Sequence, residues 1–145
     1  MTSFQGKGFV GNWAPEKMVE ATEQALACAA ARGAVLVERE AKEALSRPGP
    51  TRTHTAGSSV GGETVRASVP GEPPRKRLGI LLNSVSSEPV NESKTIQRVG
   101  THLPYGFFLE FGTKRGLKSR PWLRPTLKKL AGKLRAIFIE EAKRK

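Results

Sequence analysis

Between Ser46 and Pro74 the chain places five Pro, five Gly and eight Ser or Thr in 29 residues, a composition that neither a long helix nor a buried strand tolerates. The 145 residues amount to one domain of ordinary size, so the pieces on either side of this stretch have to build one core together. A loop of that length inside a compact domain is functional, disordered or ordered only against a partner. Within it Thr64 to Val69 alternates weakly, which suits a short strand or an extended arm. Gly57, Gly61 and Gly62 lack the Gly-Lys-Ser/Thr that would make a phosphate loop. The organisation read from this is a single domain over 1–145, with a tail at 1–14, a loop or arm at 46–74 and a basic tail at 140–145.

Helical periodicity marks both flanking pieces. Pro15 suits a first helical position and Glu16 a first turn, and Val19, Leu26, Ala30, Gly33, Val37, Ala41 and Ala44 recur on one face. Glu38 to Lys42 and Arg39 to Glu43 stand at i,i+4 spacing on the other face. The Ala25 to Ala31 stretch allows another helix to come close, and Cys28 inside it reads as an inert packing thiol. Near the other end, Pro121 is expected to open a helix in which Leu123, Leu127, Leu130, Leu134 and Ile137 form the apolar stripe. Between these helices, Leu78 to Val85 has the length of about two helical turns. Val85 to Val90 and Lys94 to Thr101, around Asn91-Glu92-Ser93, read as a hairpin.

The charge is as uneven as the composition. The chain carries net +12, yet Thr113 to Lys145 holds twelve Lys or Arg against two acids and Met1 to Gly112 holds thirteen against eleven. Such a field favours polyanions or acidic protein surfaces. Lys114 to Arg120 and the polar face of the last helix, with Lys128, Lys129 and Lys133, are the candidate contacts with DNA or a partner. No zinc finger, RNA-recognition consensus or helix-turn-helix accompanies them, so binding to nucleic acid would be to the backbone, without sequence reading. Arg75-Lys76-Arg77 could touch phosphate or simply be solvated. One cysteine and two histidines exclude an internal disulfide and a structural zinc set. No nucleophile elbow or clustered carboxylate pair appears, so neither catalysis nor a metal or cofactor is expected. No run reaches the roughly 20 apolar residues of a membrane span. Met1 to Asn12, with one Lys and no apolar run, does not fit a secretory signal, and synthesis in the cytoplasm is expected.

Five of the nine aromatics lie in Leu103 to Pro125. Tyr105, Phe107, Phe108, Phe111 and Trp122 are too many for a solvent loop, so core or subunit interface is expected for most of them. Gly112 is expected to end the Phe107 to Phe111 turn at positive φ. The run Tyr105-Gly106-Phe107-Phe108-Leu109-Glu110-Phe111-Gly112-Thr113, followed by Arg120-Pro121-Trp122-Leu123-Arg124-Pro125, resembles the signature of the neck, or tail-completion, protein family of long-tailed phages. That signature is a Tyr, a few apolar residues, Glu, an aromatic and Gly-Thr, then a short basic loop and Arg-Pro-aromatic-Leu-Arg-Pro. Upstream, Gly79, Leu81, Ser84 and Val85 fit a further family pattern from which Leu78 and Leu82 depart.

The resemblance implies an α+β fold: a long N-terminal helix, a small antiparallel sheet with a hairpin, an extended loop or arm and an amphipathic C-terminal helix. It implies a structural virion protein with no enzymatic activity, assembled in the host cytoplasm at the joint between the DNA-filled head and the tail. Its partners would be copies of itself in a ring of six or twelve, the neighbouring head-closure or connector proteins, the tail-terminator or tail-tube proteins, and non-specifically the double-stranded DNA that passes through. No membrane is involved. Tyr105, Phe108, Phe111 and Trp122 would anchor the segment on both helices, and Glu110 would pair with Arg120 or Arg124. Lys114, Arg115 and Lys118 would reach beyond the subunit. The alternative is a free nucleic-acid-binding protein without sequence preference.

Overall fold

The computed structural model describes residues 14–47, 59–60, 63–64, 68–76 and 78–144. The fold is α+β. Helix α1 (Pro15–Ser46) leads, and two short strands follow, β1 (Ser59–Val60) and β2 (Glu63–Thr64). Then come α2 (Ile80–Ser84), the strands β3 (Val85–Pro89) and β4 (Gln97–Thr101), α3 (Pro104–Phe111) and α4 (Arg124–Lys143).

Local chemistry explains the ends of α1. Ala14 is extended and Pro15 takes the first turn, where a missing N–H costs nothing. Arg47 leaves the helix in an extended conformation because it precedes Pro48. The expected Glu38–Lys42 pair forms at 2.6 Å, while Glu43 pairs with Arg47 at 2.5 Å in place of Arg39.

The long helices run antiparallel: Arg32 pairs with Glu140 and Glu141, and Lys129 with Glu40 at 3.1 Å. Small residues set their spacing, since a Cβ on Gly33 would lie 3.1 Å from Leu134 Cδ2. Ala29, Ala30, Ala34 and Val37 line this seam, with Leu130 wholly buried against it. Farther along α1, Ala41 and Leu45 join Leu81, Val85 and Trp122 in the main core, to which Leu82, Val99, Leu109 and Leu123 add. The hairpin β3–β4 lies on α1, antiparallel with Val85 opposite Thr101 and Pro89 opposite Gln97, and Ser87 Oγ donates to Glu38 at 2.7 Å.

Several expectations change. Val19 and Leu26 are not core: Val19, 59% exposed, lies in the first turns of α1, which the twelve-residue-shorter α4 does not cover, and Leu26, 43% exposed, lies beside Phe138 and Ala142 at the edge of the seam. Cys28 is exposed and is no packing thiol. The Leu78 to Val85 run gives a single turn, since Gly79 at φ 75° precedes it and Val85 already belongs to β3. Pro121 does not open the last helix, which starts at Arg124 with Pro125 in its first turn. Residues 140–143 belong to α4, anchored through Glu141, so the basic tail shrinks to the last residues. Of Thr64 to Val69, only Thr64 is in a strand, Ser68 and Val69 are not, and 65–67 fall outside the described residues, as do the tail at 1–13 and most of the Gly/Pro-rich stretch. Where that stretch ends it is fastened down: Gly71 N–H donates to Ser119 O at 2.9 Å and Arg120 Nε to Ser68 O at 3.2 Å.

Candidate functional site

Helix α3 faces the opposite way from what its sequence suggests. Its buried positions are Gly106 and Glu110, one turn apart, while Tyr105, Phe107, Phe108 and Phe111 stand 41%, 60%, 45% and 52% exposed. The expected anchoring of Tyr105, Phe108 and Phe111 in the packing of the subunit is therefore corrected: of that set Trp122 alone, at 2% exposure, is core. The reason is steric. A Cβ on Gly106 would stand 2.4 Å from Thr101 Cγ2 and 3.2 Å from Leu81 Cδ1, so only a helix face without a side chain there fits against β4 and α2. Burying Glu110 one turn later fixes the rotation, and the rings fall outside. Phe107 and Phe111 pack with their centroids 4.7 Å apart, and Phe107 meets Phe108 edge-on at 5.9 Å.

Glu110 makes the inward rotation favourable. Its carboxylate accepts the backbone N–H of Trp122 at 2.7 Å, of Leu123 at 3.0 Å and of Arg124 at 2.9 Å, and Arg124 Nε reaches it at 3.3 Å. Those amides open α4, whose N-cap position is Leu123, a side chain that cannot accept a hydrogen bond. A residue on α3 thus caps α4, and its negative charge lies at the positive end of the helix. The Arg124 guanidinium also lies 4.5 Å from the centre of the Phe111 ring. Of the two expected partners of Glu110, Arg124 takes the role and Arg120 is turned toward Ser68 O. Burial drives the Glu110 carboxyl upward, but the amides of Leu123, Trp122 and Arg124 and the Arg124 side chain outweigh it, so it titrates below the ordinary range.

Between α3 and α4 the chain closes a tight loop. Gly112 has φ 77° and ψ −177°, a region open essentially to glycine alone, and a Cβ there would lie 2.7 Å from Leu117 O. Thr113 exchanges hydrogen bonds with Leu117, its N–H donating to Leu117 O at 2.9 Å and its Oγ1 accepting Leu117 N–H at 3.3 Å. Arg120 N–H ties the far end to Leu109 O at 2.6 Å. Lys114, Arg115 and Lys118 are exposed on this loop, as the sequence suggests. Pro121 is half-buried and Pro125 exposed.

On α4, Lys128, Lys129 and Lys133 are exposed, but Lys129 is engaged with Glu40 of α1. Beside α3, an apolar cavity of about 270 Å³ is lined by Leu45, Leu78, Ile80, Leu81, Tyr105 and Leu109, with Arg75 and Lys76 at its edge. The apolar run Leu78 to Val85 reads as helix and carries no mark of a groove, and only the structure shows Leu78 and Ile80 exposed along it.

Among the described residues no group of three His, Cys, Asp or Glu could hold a metal ion, and no helix is long and apolar enough to cross a membrane. His102 is exposed, and His54 lies outside the described residues. The chain matches no protein-family model, no curated protein and no solved structure.

Proposed function

We propose that the chain is a structural subunit of the phage head-tail connector, a neck or tail-completion protein that forms a ring joining the DNA-filled head to the tail, with no catalytic role. The observation that carries this reading is the outward-facing aromatic helix. Four rings, each about half exposed, form a patch on the order of 400 Å² if a whole aromatic side chain offers roughly 150–250 Å². Aromatic rings gathered on one exposed helix face have the composition of the core of a protein interface, and an apolar patch of a few hundred Å² is commonly a functional surface. Support also comes from the two halves of the resemblance, Tyr105 to Thr113 and Arg120 to Pro125. Glu110 joins them into one unit, so both serve to present the same surface.

A nonsense codon early in this gene in the phage or prophage that carries it is the test, read by negative-stain microscopy of the lysate. Filled heads beside separate tails are expected, and intact infectious particles would overturn the reading. The net charge of +10 over Thr113 to Lys145 favours a second reading, a nucleic-acid binder without sequence preference. That protein would be absent from purified particles, whereas a connector subunit would be present in them stoichiometrically.

A further inference from the structure

Two exposed apolar surfaces lie at opposite ends of the α1–α4 pair, and they differ in charge. At one end, residues 15–24 of α1 are exposed at every position, with Met18 and Val19 among them at 52% and 59%. The end of α4, at Phe138 and Ala142, lies beside Thr22, Ala25, Leu26 and Ala29, so among the described residues α4 does not cover the turns before Thr22. This overhang carries Glu16, Glu20 and Glu23 against one cation, Lys17. At the other end stands the α3 face, flanked by Lys114, Arg115 and Lys118 with no acid between them. The cavity lined by Tyr105 and Leu45 continues it, with Lys76 at the rim. Leu26 and Leu45 are nineteen residues apart on one helix, about 28 Å at 1.5 Å per residue, so the two surfaces of a single copy do not meet.

We propose that the projecting first turns of α1 in one copy seat on the outward face of α3 in the next copy. Met18 and Val19 meet the aromatic rings and the groove beside Tyr105, and Glu16, Glu20 and Glu23 face the cations of the 113–120 loop. The occupant is a second copy because this chain itself supplies the complement: an acidic apolar helix end that no described residue covers and a basic apolar face of matching character. The contact is heterologous, each copy using a different surface on either side, so it propagates and closes only as a ring. It rests on the reading of the chain as a ring subunit and adds which surfaces join.

Sedimentation velocity of the purified full chain and two variants tests this. Val19→Asp removes the donor surface and Phe108→Asp the acceptor surface, both at exposed positions. The unaltered chain is expected to form species larger than a dimer as concentration rises, and each variant alone to remain monomeric. An equimolar mixture of the two variants is expected to give a one-to-one dimer and nothing larger, since each retains one intact surface. A chain monomeric at every concentration, as when its own N-terminal segment covers α1, overturns the proposal. So does a mixture that stays monomeric, or Val19→Asp assembling unaided, which would mean that α3 pairs with itself.

Charge exchange gives an independent readout that does not depend on a buried change. Glu20→Lys with Glu23→Lys is expected to weaken association roughly tenfold or more at low salt, and Lys114→Glu with Lys118→Glu on the same chain to restore it. No recovery in that variant refutes the pairing. The surface assignment and the virion reading fail separately: separate heads and tails with a monomeric chain remove only the former. Assembly in solution with infectious nonsense-mutant particles removes only the latter.

Discussion

A carboxylate at 4% exposure has lost its water, and that alone would make Glu110 a protonated liability. Three amides and a guanidinium replace the water, and the balance falls on the ionised side. Because the folded-state pKa lies below the unfolded one, the stabilisation is complete above the ordinary Glu value of about 4.3 and is lost as pH falls through the lowered folded value. Glu110→Gln is therefore expected to cost about 2–3 kcal/mol at neutral pH in urea unfolding, and the gap to the unaltered chain should close as the solution is acidified below about pH 4. A pH-independent gap would mean that shape, with no contribution from charge, holds the contact. The aromatics divide sharply on the same scale. Trp122→Ala should lose about 3–5 kcal/mol. Phe108→Ala, nearly half exposed, should lose under about 1 kcal/mol by the same measurement. An ion pair for Glu110 was legible in the sequence, because a lone acid among cations needs a partner, but the choice between Arg120 and Arg124 was not. The cap on α4 was not, because capping is looked for within three residues of the helix it serves, and this carboxylate comes from twelve to fourteen residues upstream.

At the scale of elements, periodicity announced α1, the hairpin and α4, since each pattern reports local geometry. It could not say which way α3 turns. Phe, Tyr and Leu mark a helix as apolar without stating whether the core or a neighbour receives it, and the deciding residue is Gly106, whose only message is a missing Cβ. Nor could it foresee that α1 outruns α4, because the length of a helix is local and the reach of its partner is not. The glycines turn these distinctions into measurements. Gly132 sits within α4 with nothing within 4 Å of a Cβ, so Gly132→Ala should raise stability by about 0.5–1 kcal/mol through helix propensity alone. Gly112→Ala meets both a forbidden backbone region and Leu117 O, and should cost about 1–3 kcal/mol or more. Paired thermal melts of these two variants should move in opposite directions. Equal shifts would deny that the Gly112 turn sets the approach of α3 to α4.

For the molecule as a whole, the positive charge has to be divided among tasks. Lys129 pairs with Glu40 across the helix pair, and Arg124 with Glu110 and Phe111, so each has a partner within the subunit that competes with phosphate. Lys114, Arg115 and Lys118 flank the aromatic face and belong with whatever covers it. Lys128 and Arg135, two helical turns apart, lie on the side of α4 away from buried Leu130, and both are exposed. They form the stripe best placed to touch DNA passing a ring of such subunits. Each phosphate neutralised lowers the log–log slope of affinity against salt by about 0.9 for duplex DNA. Lys128→Gln with Arg135→Gln should therefore weaken binding to any duplex and flatten that slope by about 2 for each copy that touches DNA, if each cation meets one phosphate. Lys129→Gln should leave the slope unchanged and, its pair being well exposed on the Lys side, soften the α1–α4 contact by less than about 1 kcal/mol. A Lys129→Gln variant whose slope fell by about 0.9 would instead show that phosphate contacts spread beyond this stripe to the Glu40 side of α4.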